Sequence, residues 1–165
     1  MQRTPLSQYF SGSYAQARQQ FADAALQRGL QVESHVMQDH RGALDEVLAT
    51  DVLRIGAADA TRLLIVSSGT HGPEGFCGSG VQVAMLDDAD LLGRADKAGV
   101  ALLLVHAVNP YGFSWLQRTN EDNIDLNRNC LDFTAPLPVN PHYAQIERLM
   151  LPPAWPPTPD NEQAI

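Results

Sequence analysis

The run Val100-Ala101-Leu102-Leu103-Leu104-Val105 has no polar residue at any position, and a segment this short and this apolar is satisfied only as a strand covered on both faces. Leu63-Leu64-Ile65-Val66 is a second such run. Between them lie a polar, Gly-rich stretch over 67–80 and then Val81, Ala84 and Met85 at helical spacing. Strand, loop, helix and strand in that order predict a βαβ unit with a right-handed crossover. The fold class is therefore α/β, with a mixed, largely parallel central sheet and flanking helices. Ligands of such sheets collect beyond the carboxyl ends of the strands, so the loop 67–80 and the loop from His106 onward are expected to face one another.

The remaining segments fit around that unit. Tyr14, Ala17, Phe21, Ala24, Ala25 and Leu26 recur at helical spacing between Ser13 and Arg28, ahead of Gly29. Leu30, Val32 and Val36 alternate with polar residues as in a strand packed on one face. Val52–Ile55 and Leu63–Ser67 form strand, turn and strand around residues 56–61. Asn140-Pro141 caps and opens a last helix carrying Tyr143, Ile146, Leu149 and Met150. Eight of the eleven prolines fall from Pro136 onward, so residues 1–150 are expected to make one domain and 151–165 a proline-rich tail.

Lys and Arg number 11 against 19 Asp and Glu, a net charge of −8. That balance repels phosphate backbones and anionic lipid, which argues against nucleic acid and membrane as partners. No apolar run approaches the roughly 20 residues of a membrane span, and the amino terminus has no apolar signal core; a soluble, cytoplasmic protein is expected. Cys77 and Cys130 are too few for a disulfide framework and are expected to be free thiols.

Two clusters carry chemistry. His71 and Glu74 flank Gly72-Pro73, and a His-x-x-Glu turn can bring an imidazole nitrogen and a carboxylate to one zinc ion. The segment Arg118-Thr119-Asn120-Glu121-Asp122-Asn123-Ile124-Asp125-Leu126-Asn127-Arg128-Asn129 is dense in groups that are costly to bury unpaired, so it must face water or a ligand. His106 reads as a hydrogen-bonded wall residue rather than a ligand, His35 and His40 as surface groups, and Cys77 as a small packed residue.

The motifs Gly69-Thr70-His71-Gly72-Pro73-Glu74-Gly75 and Asn123-Ile124-Asp125-Leu126-Asn127-Arg128-Asn129 together resemble those of the zinc carboxypeptidase superfamily, in the branch that holds aspartoacylase and succinylglutamate desuccinylase. With Val105-His106-Ala107-Val108-Asn109-Pro110-Tyr111-Gly112-Phe113 between them, the sequence looks most like a bacterial zinc-peptidase subgroup, over Leu63 to Trp155. The resemblance implies that His71 and Glu74 are zinc ligands and that Asp125 orients His71 from behind the metal. It implies that Asn127 and Arg128 grip the free carboxylate of a small peptide or N-acyl amino acid, and that Arg118 polarises the scissile carbonyl. His71, Glu74, Asp125 and Arg128 are then expected to converge in one cleft.

The family takes a third ligand, a histidine, several tens of residues past the Asn-Arg pair, and a general-base glutamate from further on. His142 is the only later histidine in these 165 residues and follows Arg128 too closely; Glu147 and Glu162 lie in no recognisable catalytic context. The expectation is the amino-terminal part of a zinc-dependent hydrolase, with a sheet edge left open to self-association. The alternatives are a catalytically inactive half-domain with a binding role or none, and a thiol hydrolase using Cys77 with His106.

Overall fold

The computed structural model describes residues 5–151 and 156; the proline-rich segment around Pro152–Trp155 and Pro157–Pro159, and Glu162, lie outside them. The chain divides into two units, residues 1–129 and 130–165. The second contains helix α5 (Pro141–Met150), whose first turn is closed by the Asn140 side chain accepting from the His142 and Tyr143 amides. Tyr143, Ile146 and Met150 are exposed, and the Leu149 side chain lies outside the described residues.

In the first unit, helix α1 (Tyr14–Gln27) starts where Ser13 Oγ accepts from the Gln16 amide (3.2 Å). It buries Tyr14, Ala17, Phe21 and Ala25. Leu26 is exposed instead, because it lies a hundred degrees round the helix from Ala25. Strands β1 (Glu33–Arg41) and β2 (Val47–Ile55) are joined by a tight turn in which the Gly42 amide donates to the Glu46 carbonyl (2.9 Å). Then follow β3 (Arg62–Ser67), α2 (Gly72–Asp87), α3 (Ala89–Lys97), β4 (Val100–His106), α4 (Pro110–Trp115) and a 3-10 turn over Leu126–Arg128.

The sheet order is β1-β2-β4-β3. Only β3 and β4 are parallel; β1 with β2 and β2 with β4 are antiparallel. The α/β class holds, but the expectation of a largely parallel sheet is corrected. The turn over 42–46 is too short for a crossover, so β1 and β2 must run antiparallel. Nor do β2 and β3 form a hairpin across residues 56–61, because β4 lies between them. A strand apolar at every position is best covered at the centre of a sheet, and β4 takes that place. The crossover from β3 to β4 is made by α2 and α3.

One core cluster joins Phe21 and Ala25 of α1 to Leu53, Leu104, Val83 and Leu86; another joins Tyr14 and Ala17 to Leu48, Ala107 and Phe113. The Tyr14 hydroxyl donates to the Ala49 carbonyl (3.0 Å) and accepts from the Ala49 amide (2.8 Å), and burial pushes its pKa up to about 12. At the other edge, β3 leaves consecutive Leu63, Leu64 and Ile65 about half exposed. Successive strand residues point to opposite faces, so both faces of this edge strand are uncovered. No helix among the described residues is long and apolar enough to cross a membrane.

His106, at the end of β4, is fully buried, stacked on Phe21 at 4.7 Å between ring centroids, with Nε2 2.9 Å from Ser79 Oγ. Burial brings its pKa down to about 4, outweighing the pull of Asp51 in the opposite direction. In the unfolded chain a histidine titrates near ~6.5. Between these values the unfolded state binds the extra proton, so stability falls as pH is lowered from about 6.5 and levels off below about 4. At ~1.4 kcal/mol per unit the loss is about 3 kcal/mol. Urea unfolding at stepped pH should show this slope, and His106→Gln should flatten it.

Candidate functional site

The parallel ladder does not stop where β3 and β4 end. The Ser68 amide donates to the Val105 carbonyl (3.0 Å), the Val108 amide to the Ser68 carbonyl (2.9 Å) and the Asn109 amide to the Gly69 carbonyl (2.9 Å). The two post-strand loops are thereby held side by side, as expected from the strand order.

The first loop is shorter than its composition suggests. Helix α2 begins at Gly72 rather than after residue 80. Its glycines are packing positions: a Cβ on Gly75 would fall 2.8 Å from the Phe113 ring and one on Gly78 2.7 Å from the Ser68 side chain. His71 occupies the N-cap, but its imidazole makes no cap bond. Glu74 lies in the first turn, where the positive end of the helix dipole favours a carboxylate. One turn of helix brings His71 Nδ1 to 3.5 Å from Glu74 Oε1.

The second cluster is shaped by Asn120. Its side-chain oxygen accepts from the Asp122 (3.1 Å) and Ile124 (2.8 Å) amides, and its own amide donates to the Ile124 carbonyl (3.0 Å). Asn123, with φ of 59°, completes the reversal. This closed loop returns Asp125 to Arg118, whose Nε donates to Oδ2 at 2.7 Å. Oδ1 accepts from the Asn127 amide (3.0 Å) and faces His71 Nε2 at 2.9 Å. The bond to His71, followed by that from Arg118, holds the Asp125 carboxyl down at about 2.

A carboxylate can only accept, so the Nε2 end of the ring donates to Asp125, and Nδ1 is the nitrogen turned toward Glu74. Two donors each about 2.1 Å from one tetrahedral ion stand about 3.4 Å apart. The separation of His71 Nδ1 and Glu74 Oε1 fits that geometry, and imidazole with carboxylate is a donor set suited to zinc. Among the described residues no group of three His, Cys, Asp or Glu side chains is arranged to hold an ion.

His71, Glu74, Asp125 and Arg118 thus share contacts. Arg128 sits exposed at the end of the 3-10 turn and donates to the Asn127 carbonyl (3.2 Å). His35 and His40 are exposed. Cys77 is exposed rather than packed, because it lies on the outer side of α2 while Gly78, Ser79 and Gly80 face inward. His106 Nε2 is taken by Ser79 in the core, which leaves an exposed Cys77 without that base and removes the thiol-hydrolase alternative. Asn120, which closes the second loop, is not separable by composition from the polar residues around it. The Asn109-Pro110 pair carries the same cap signature as Asn140-Pro141 and marks the start of α4.

The parallel strand pair opens onto a helix capped by histidine, with a glutamate in its first turn. Two solved structures from Shewanella denitrificans share the α/β fold. One is a "putative carboxypeptidase A", 20% identical, with a TM-score of 0.54 over 73% of this chain and 32% of its own. The other is a "putative metallopeptidase", 21% identical, with a TM-score of 0.54 over 89% of this chain and 56% of its own. The chain therefore spans only about a third to just over half the length of these two. No curated protein matches it. The chain belongs to the family of proteins of unknown function DUF2817, which it matches over residues 10–165.

Asn120→Ala removes the acceptor of two main-chain amides and should cost about 1–2 kcal/mol in urea unfolding.

Proposed function

We propose that this chain carries the metal-binding part of a zinc-dependent hydrolase that acts on a small peptide or N-acyl amino acid with a free carboxylate. The observation that carries the proposal is the shared Asp125, which fixes the proton on His71 Nε2 and leaves Nδ1 beside Glu74. The names of the two Shewanella structures support it. Zinc, when bound, supplies a Lewis acid and lowers the pKa of a coordinated water toward ~7.

The chain's own residues have separate tasks. His71 and Glu74 hold the ion. Asp125 keeps the imidazole in one tautomer and one orientation, as partners of metal-bound histidines do. Arg118 spends Nε on Asp125 and is half exposed, so its remaining donors can reach the oxygen of a substrate carbonyl and stabilise developing charge there. Arg128, exposed beside Asn127, offers a planar pair of donors suited to a carboxylate. A third protein ligand and a general base complete such a site, and among the described residues no group of three His, Cys, Asp or Glu side chains is arranged to hold an ion. That observation also favours a second proposal, an inactive half-domain that binds metal weakly.

Dialysis against zinc, metal analysis and a panel of dipeptides and N-acyl amino acids test the metal site and the activity. For these 165 residues, weak zinc binding without turnover is expected, because two protein ligands leave the ion open to water and a general base is worth typically 10²–10⁴-fold. Asp125→Ala should weaken zinc binding by about 10–100-fold. Unchanged affinity would remove Asp125 from its orienting role. Stoichiometric zinc with turnover would show a complete site.

The open β3 edge supports self-association, since apolar faces beside unpaired backbone groups favour strand pairing between molecules. Light scattering should show oligomers, and Leu64→Lys, at the middle of β3, should shift the chain toward monomer. A monodisperse unmodified chain would overturn this.

A further inference from the structure

We propose that Asn109 is a positioning residue for His71: its carboxamide ties the loop that carries His71 to the loop that carries Arg118 and Asp125. This rests on His71 being a metal ligand. Asn109 is 2% exposed. Nδ2 donates to the Thr70 carbonyl (3.3 Å), one residue before His71, and to the Thr119 carbonyl (3.1 Å), one residue after Arg118. Oδ1 accepts from the Gly112 amide (2.8 Å) at the start of α4. Both amide protons are used, and they go to the two chain segments whose side chains meet at the His71–Asp125 contact. No other side-chain type of this size offers two donors and an acceptor in one plane.

The surroundings leave little room for the loops to find another spacing. A Cβ on Gly112 would stand 2.5 Å from Asn109 Nδ2 and 2.6 Å from the Thr119 carbonyl oxygen. One on Gly72 would fall 1.8 Å from the Gly112 carbonyl oxygen. The Gly72 amide, the first of α2, donates to the Gln117 carbonyl (3.0 Å). Gln117 in turn donates from Nε2 to the Thr119 (3.4 Å) and Asn120 (3.1 Å) carbonyls. Backbone thus meets backbone around one carboxamide, and the separation of His71 from Asp125 follows from that spacing. A shift of a few tenths of an ångström in Thr70 relative to Thr119 would be transmitted directly to a 2.9 Å hydrogen bond.

The test uses Asn109→Asp, which keeps the acceptor for Gly112 but loses both donated bonds, with Leu53→Ala, a core truncation away from the loops, as the control for general destabilisation. Two quantities are read: zinc affinity by competition with a chromophoric chelator, and the His71 tautomer in metal-free protein by nitrogen-15 NMR, followed to alkaline pH until the ring signals no longer move. In Asn109→Asp, zinc affinity should fall about 10-fold or more, and the His71 signals should leave the Nε2–H pattern for a tautomer mixture. Leu53→Ala should lower stability yet keep both readings. If Asn109→Asp does not fold, Asn109→Ser, which retains a cap at Gly112 but cannot make both donated bonds, carries the same expectation. An unchanged tautomer pattern in the variant overturns the proposal. If the unsubstituted chain takes up no zinc, the metal assignment of His71 fails, while the tautomer comparison still decides the role of Asn109.

Discussion

The parallel pairing of β3 and β4 is the constraint on which the rest of the first unit depends. Parallel strands cannot be joined by a turn, so a helical crossover must intervene, and here α2 begins five residues after β3 ends. Because the ladder continues through Ser68, Gly69, Val108 and Asn109, the start of α2 and the start of α4 leave the sheet together. Everything that could act on a ligand is attached to one or the other. His71 and Glu74 stand on the first turn of α2, and Arg118 and Asp125 follow α4 within one closed loop.

The helix in the crossover has an inner face that is partly polar. Gln82 donates to the Val66 (2.9 Å) and Val105 (3.2 Å) carbonyls and accepts from Ser68 Oγ (2.9 Å), while Ser79 meets His106. Such groups are costly to bury unpaired, so their partners fix the position of α2 along the strands more narrowly than apolar contacts would. Glycines at 72, 75 and 78 bring that face close to α4 and the Ser68 loop. The same residues that make the segment look like a loop in composition are what let a helix fit there.

Asp125 sets the electrostatics of the site. One carboxylate faces an imidazole, a guanidinium and a main-chain amide, and its depressed pKa follows from those three donors, the imidazole first. Arg118 is consequently not a free cation. Its Nε is committed to holding Asp125, and only the outer part of the guanidinium remains for a substrate. The organisation resembles a relay of position rather than of protons: Arg118 holds Asp125, Asp125 holds His71, and His71 turns Nδ1 toward Glu74.

Local features of the chain were legible in the sequence because they depend on neighbours within a few residues. Ser13 and Asn140 as caps, the turn of α1 that buries Tyr14, Ala17 and Phe21, the apolar strand β4, and the closeness of His71 to Glu74 three residues on all follow from spacing. So does the adjacency of the two post-strand loops, which needs only the βαβ order. The direction of β1 and β2, the insertion of β4 between β2 and β3, and the start of α2 at Gly72 were decided by tertiary structure. Strand order depends on which strand most needs cover, and the helical state of a glycine-rich segment depends on Phe113, Ser68 and Phe10 standing where a Cβ would clash. The roles of Asn109 and Asn120 belong to the same group. An asparagine becomes a tie between loops only when carbonyls from distant parts of the chain arrive at its amide, and no local pattern records that.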